Sequence, residues 1–187
     1  MMTPFGQNMT SPLASITWNQ TLPTTDIDVF FMPGGWEFTF FLEDGSSELV
    51  VTEPWNAYAR QQVFLGLEQF SDVTPLQFRQ TTMLEEAEYF LYLADLSQLG
   101  AIGLCLDPGQ SLDRLFFCSQ SPGWQDGPGD IGKGGLEQGG FGFAIILHEF
   151  GHAAGLAHPH DTGGGSTIMS GVTGPSGSYG VGGLNQT

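Results

Sequence analysis

The 187-residue chain has only 4 basic residues against 20 acidic ones, a formal net charge of −16. A surface this negative repels phosphate, so nucleic acid and anionic lipid are poor partners, whereas cations are favoured. Cysteine is scarce. Two residues are too few for a disulfide scaffold or a four-thiolate zinc site. No apolar run approaches the ~20 residues that cross a bilayer, which argues against a membrane protein. Met1–Trp18 shows no basic start followed by an apolar stretch, so no N-terminal secretory signal is visible.

What is present points to one folded domain. Apolar residues make up 40% of the chain and aromatics 12%, enough for a core despite the charge. Residues 1–25, rich in Thr, Pro, Ser and Asn, read as a loosely ordered lead-in, and 26–187 as the domain, expected to act as a monomer. Asp26–Phe31 and Trp36–Leu42 read as strands around the turn Met32–Gly35, with another turn at Glu43–Ser46. Thr52 is placed to cap a helix carrying Glu53 and Pro54 in its first turn. Tyr58, Val63, Phe64, Leu67 and Phe70 then recur at helical spacing over about four turns. Leu76–Gln80 and Tyr89–Ala94 read as strands, and Leu99–Ser119 as an irregular edge hairpin. Cys105 and Cys118 flank its turn. A cross-hairpin disulfide and a pair of reduced thiols both remain open. Ser121–Gly142, with nine glycines in 22 residues, is a long loop. Phe143–Ala154 is the second helix.

That helix carries the chemistry. From His148 the chain reads H-E-x-x-H-x-x-G-x-x-H, which takes in three of the four histidines. Residues four apart share a helix face, so His148 and His152 can both face one ion at about 2.0–2.1 Å. Glu149 is poorly placed as a third ligand on that face, but it can reach a water on the ion. Gly155 tolerates the left-handed backbone that ends a helix, and this lets the chain turn and bring His158 to the ion from another side. Three neutral imidazoles with an open position are the pattern of catalytic zinc. In such a site zinc polarises a carbonyl and acidifies water, while Glu149 serves as the general base. The bland alternative is a set of histidines hydrogen-bonded in a core. Average residue frequencies give the five-position pattern roughly 10⁻⁵ times per chain of this length.

The long motif resembles the metzincin clan of zinc endopeptidases. Pro159 directly after the third histidine is similar to the serralysin branch. The segment Asn56–Gln62 running into Phe70–Phe78 is similar to that family's first helix and following strand. The resemblance is specific over about 145–160 and looser over about 55–160. It implies His148, His152 and His158 as zinc ligands and Glu149 as catalytic base. The implied fold is α/β (α+β): a twisted, mostly parallel sheet with one antiparallel edge strand, two long helices and a cleft beneath that edge. Polypeptides are the implied substrates, adding to the edge by backbone hydrogen bonds, with Leu99–Cys118 as the edge region.

Three departures qualify the match. Met169 follows His158 by 11 residues, near the matrixin spacing, and Gly171 stands where the serralysin pattern has tyrosine. Met169 is therefore read as a loop residue, with the methionine turn expected beyond Thr187; a short-loop turn is the alternative. No helix is visible after His158, and the late glycines lack paired aspartates. The expectation is a chain cut short at its C-terminus, from a protein secreted through a C-terminal export signal. Asp107, Asp113, Asp126 and Asp130, read in turns, offer oxygen ligands for Ca2+, with a solvated acidic surface as the alternative. His160 is a candidate fourth metal neighbour, but Pro159 turns the chain and the expectation is a solvent-facing ring; Tyr179 could offer a phenol, with no spacing that ties it to the site. Trp36, Phe38, Phe40 and Phe41 read as core and edge packing. Two other functions fit the motif: a non-catalytic zinc-binding or adhesion module, and a metal-dependent hydrolase of a small non-peptide substrate.

Overall fold

The structure, a computed structural model, describes residues 24–42, 44–106, 113–121, 123–124 and 135–156. Seven strands and two helices follow in the order β1 (Asp26–Phe31), β2 (Glu37–Phe41), β3 (Ser47–Glu53), α1 (Ala57–Ser71), β4 (Gln77–Gln80), β5 (Tyr89–Ala94), β6 (Gly103–Leu106), β7 (Asp113–Cys118) and α2 (Phe141–Ala153). The protein is a mixed α/β structure, as expected.

β5 is the axis of the sheet. It runs parallel to β1, with Val29 opposite Tyr89, and parallel to β7 along its whole length. β4 extends the parallel set beyond β1. On the far side β6 pairs antiparallel with β7, Gly103 opposite Phe117. The antiparallel strand β6 lies inside the predicted 99–118 region, but the sheet is not mostly parallel as expected: β2–β3 and β3–β5 are antiparallel too, which makes three parallel and three antiparallel pairings among the described strands. The β2–β3 hairpin is attached where Thr52 and Glu53 pair with the end of β5.

Strand alternation splits the core into two layers. Ile27, Val29, Phe31, Tyr89, Leu91, Leu93, Leu115 and Phe117 face α1 and α2, where they meet Tyr58, Val63, Leu67, Ile145, Ile146 and Phe150. The intervening residues Tyr92, Ala94, Phe116 and Cys118 face the other way. The hairpin folds over this second layer: Phe38 lies edge-on to Tyr92 at 4.9 Å and to Phe116 at 5.2 Å. Gly66 lets the helices meet closely, because a Cβ there would stand 2.7 Å from Ile146 Cγ2. Among the described residues no helix is long and apolar enough to cross a membrane.

Several expectations are corrected. Thr52 does not cap the first helix. It lies within β3, one residue before its end, and its hydroxyl accepts from Trp36 N at 2.9 Å and donates to Pro33 O at 2.8 Å. The cap is Asn56, whose Oδ1 accepts from Ala59 N at 2.7 Å. β1 and β2 are not partners across their turn; β1 lies inside the sheet between β5 and β4, with Ile27, Val29 and Phe31 on its buried face and Asp28 on the other paired with Arg79. Phe38 and Phe40 do pack inward, but Phe41 is 84% exposed and Trp36 50%. Cys105 and Cys118 are not joined to each other. Cys105 stands opposite Leu115, while Cys118 N donates to Ile102 O, several register steps away. Asp113 opens a strand instead of lying in a turn. Residues 1–23 of the lead-in, the turn aspartates Asp107, Asp126 and Asp130, and everything from 157 onward lie outside the described residues.

Candidate active site

α2 begins at Phe141, after a tight glycine turn. Gly135 O accepts from Gly142 N at 3.0 Å, and a Cβ on Gly140 would collide with that same carbonyl. The helix is apolar nearly all round and is buried from Gly142 to Leu147. A helix buried on every side is held rigidly, so the polar groups it carries are fixed in place. It stops where the sequence predicts. Gly155 has φ +92°, its N donates to His152 O at 2.8 Å, and Leu156 N donates to Gly151 O at 2.8 Å. These paired bonds form a Schellman cap, which needs a left-handed residue at that point.

His148 and His152 lie on one face, with their rings edge to face and centroids 4.6 Å apart. Their Nε2 atoms are 3.1 Å apart. On its other side His152 Nδ1 sits 2.8 Å from Leu156 O. A carbonyl can only accept, so Nδ1 carries the proton and donates, which leaves the Nε2 lone pair of His152 directed at His148. Two nitrogens at 2.0–2.1 Å from a tetrahedral ion are separated by about 3.3 Å. The pair therefore fits a zinc ion in both donor type and spacing. The backbone carbonyl behind His152 plays the orienting role that ligating imidazoles require.

Glu149 lies beside this pair and is only 4% exposed. No hydrogen bond reaches its carboxyl among the described residues, and burial pushes that carboxyl up to about 8. It rests against the backbone of Gly103 in β6. The edge strand therefore passes directly over the carboxylate position.

The helix thus brings together three of the predicted site residues: His148, Glu149 and His152. The fourth, His158, and with it His160, Met169 and Tyr179, lies outside the described residues. Among the described residues no group of three His, Cys, Asp or Glu side chains closes around one point. Sequence reasoning missed Leu156 O and Gly103. The first follows from a helix that stops four residues after a histidine, a signal that was legible. The second is a long-range contact with no local signature.

The chain matches no protein-family model and no curated protein. Solved structures similar to it include two of myroilysin. One has a TM-score of 0.47 at 16% identity, covering 76% of this chain and 54% of that one. The other has a TM-score of 0.41 at 13% identity, covering 82% and 60%. A GM1-bound form of the ECX AB5 holotoxin is similar with a TM-score of 0.38 at 13% identity, covering 76% and 55%. This chain spans somewhat over half the length of each.

Proposed function

We propose that this chain is the catalytic domain of a secreted zinc endopeptidase of the metzincin type, nearest its serralysin-like branch. It would hydrolyse internal bonds of polypeptides. His148, His152 and His158 hold the metal, and Glu149 is the general base. One observation carries the reading: the Nε2 atoms of His148 and His152 converge to 3.1 Å, with the tautomer of His152 set by Leu156 O and a buried carboxyl alongside.

A zinc ion held there supplies a Lewis acid that polarises the scissile carbonyl and acidifies water. The chain's own residues do the rest. Burial alone favours the protonated form of Glu149, whereas the positive charge of a zinc ion held beside it would favour the carboxylate; as the carboxylate it would take the proton of the attacking water and pass it to the departing amine, so no covalent intermediate with the enzyme is needed. Its burial excludes competing solvent from the carboxylate. β6 pairs with β7 and is the last strand on its side of the sheet among the described strands, the position at which an extended peptide would add by backbone hydrogen bonds. That edge runs past Glu149, which supports a substrate lying across the base in extended form.

The test uses the full chain, stripped by chelation, dialysed and reloaded with zinc at neutral pH. One zinc per chain and cleavage of casein are expected. Glu149→Gln should keep the zinc and lose cleavage by about 10²-fold or more. No stoichiometric uptake overturns the metal assignment, and an active Glu149→Gln overturns the base assignment. Zinc bound by an inactive wild type would favour a non-catalytic module.

A further inference from the structure

β6 opens with a glycine that its backbone does not require. Gly103 is not among the residues with positive φ, so alanine can adopt the same conformation. Glycine inside a strand is otherwise a cost, since it loses more freedom on folding and packs nothing. What Gly103 provides is room. A Cβ built there would meet Glu149 Cγ and Cδ at 2.7 Å, and Oε1 nearer still. Carbon atoms in contact sit about 3.5–4.0 Å apart. The three atoms nearest to such a methyl all belong to Glu149, none to His148 or His152.

We propose that Gly103 is a positioning residue: its bare backbone is the seat on which the Glu149 carboxyl rests beneath the edge strand. The catalytic half of this inference rests on the endopeptidase reading, and the seat itself does not. No hydrogen bond holds Glu149 among the described residues, so steric walls set its place, with α2 behind it and β6 in front. A methyl at 103 takes the space in front. The carboxyl then withdraws by roughly 0.8 Å or more to recover ordinary contact. A base displaced on that scale loses its alignment with the water it deprotonates, and misplacements near 1 Å can cost about 10² in rate. The histidine pair is held separately, by the helix and by Leu156 O, so metal binding is untouched.

The experiment compares wild type with Gly103→Ala in the full chain by zinc content, kcat and KM on an unstructured peptide, and crystal structure. Unchanged zinc, KM within about twofold, kcat down about tenfold or more and a displaced Glu149 Cδ are expected. Against Glu149→Asp, one methylene shorter, Gly103→Ala should cost less than about threefold. The proposal is overturned if kcat stays within twofold, or if the strand moves and the carboxyl does not. If zinc-loaded wild type cleaves nothing, the endopeptidase reading fails, and the crystal structures alone then decide the seat by the same displacement. If Gly103→Ala does not fold, folding recovered by adding Glu149→Ala upholds the collision, and no recovery overturns it.

Discussion

Gly66 of α1 lies directly against Ile146 of α2, and the missing side chain sets how close the histidine-bearing helix comes to its neighbour. Any Cβ at 66 would press on Ile146 Cγ2 at 2.7 Å and reach Leu147 Cδ2 at 3.8 Å. Ile146 Cγ2 is attached directly to Cβ of a fully buried side chain with little room to retreat, while the Leu147 contact is ordinary. Gly66→Ala is therefore expected to destabilise the protein by about 1–3 kcal/mol, despite alanine's better helix propensity. Paired with Ile146→Ala, the two losses should sum to less than their separate values. Urea unfolding of the four proteins of the cycle measures this; strict additivity would show that the helices do not meet there.

Asn56→Ala should cost about 1 kcal/mol, because Ala59 N loses the carbonyl that caps it. In a chain of this size that is a fall of about 2–4 °C in Tm. Asn56→Asp should retain the bond and match or exceed wild type, since a carboxylate at a helix N-terminus is favoured. Thr52→Val tests the competing assignment. It should loosen the β2–β3 hairpin, seen as faster amide exchange at Trp36, while leaving α1 intact.

Asp28 and Arg79 are register partners in parallel strands, joined by Nε to Oδ1 at 2.5 Å and Nη2 to Oδ2 at 2.7 Å. The hydrogen bonds from Arg79 hold the Asp28 carboxyl below its ordinary value, against the effect of burial. The stability this gives is complete above the unfolded carboxylate pKa and is lost as pH falls through the lowered folded value. Arg79→Leu should thus move the acid-unfolding midpoint to higher pH, followed by far-UV circular dichroism, with little change near neutrality beyond the loss of the pair. Arg79 is largely exposed, so added salt should reproduce part of the shift.

Removing the metal should lower Tm, and restoring zinc should raise it again. Zinc at a thousand times its dissociation constant stabilises by about 4 kcal/mol. His148→Ala and His152→Ala should each abolish the zinc-dependent rise while folding normally without metal, because the apolar faces of α2 carry its packing. Differential scanning calorimetry with and without chelator decides this. A zinc-dependent rise that survives in either variant would contradict the ligand assignment.

Legibility in the sequence followed the range of the interactions. β5 begins and ends where its apolar run does, Tyr89–Ala94, because a doubly buried strand needs no partner to be recognised. The i, i+4 histidines and the stop at Gly155 are local geometry and could be read directly. β3 was missed because Thr52, Glu53 and Pro54 carry good helix-start chemistry; pairing with the end of β5 overrides it. The exposure of Phe41 and Trp36 could not be read either, since strand alternation does not say which face of a hairpin is covered. Gly103 belongs to the same class: a glycine in a strand is silent until the fold places a glutamate over it.

The outward face of the β2–β3 hairpin carries Phe41, Leu49 and Val51, all exposed, Trp36 stands exposed just before β2, and β2 ends the strand order with its backbone unpaired on one side among the described strands. Such a rim is a template for stacking one molecule onto another. Glu37, Asp44 and Glu48 on the same hairpin make that approach electrostatically unfavourable between identical copies. The surplus of negative charge, which first limits what this protein can bind, thus also opposes stacking of identical copies along this rim, and acidifying a concentrated solution should cloud it before it unfolds it.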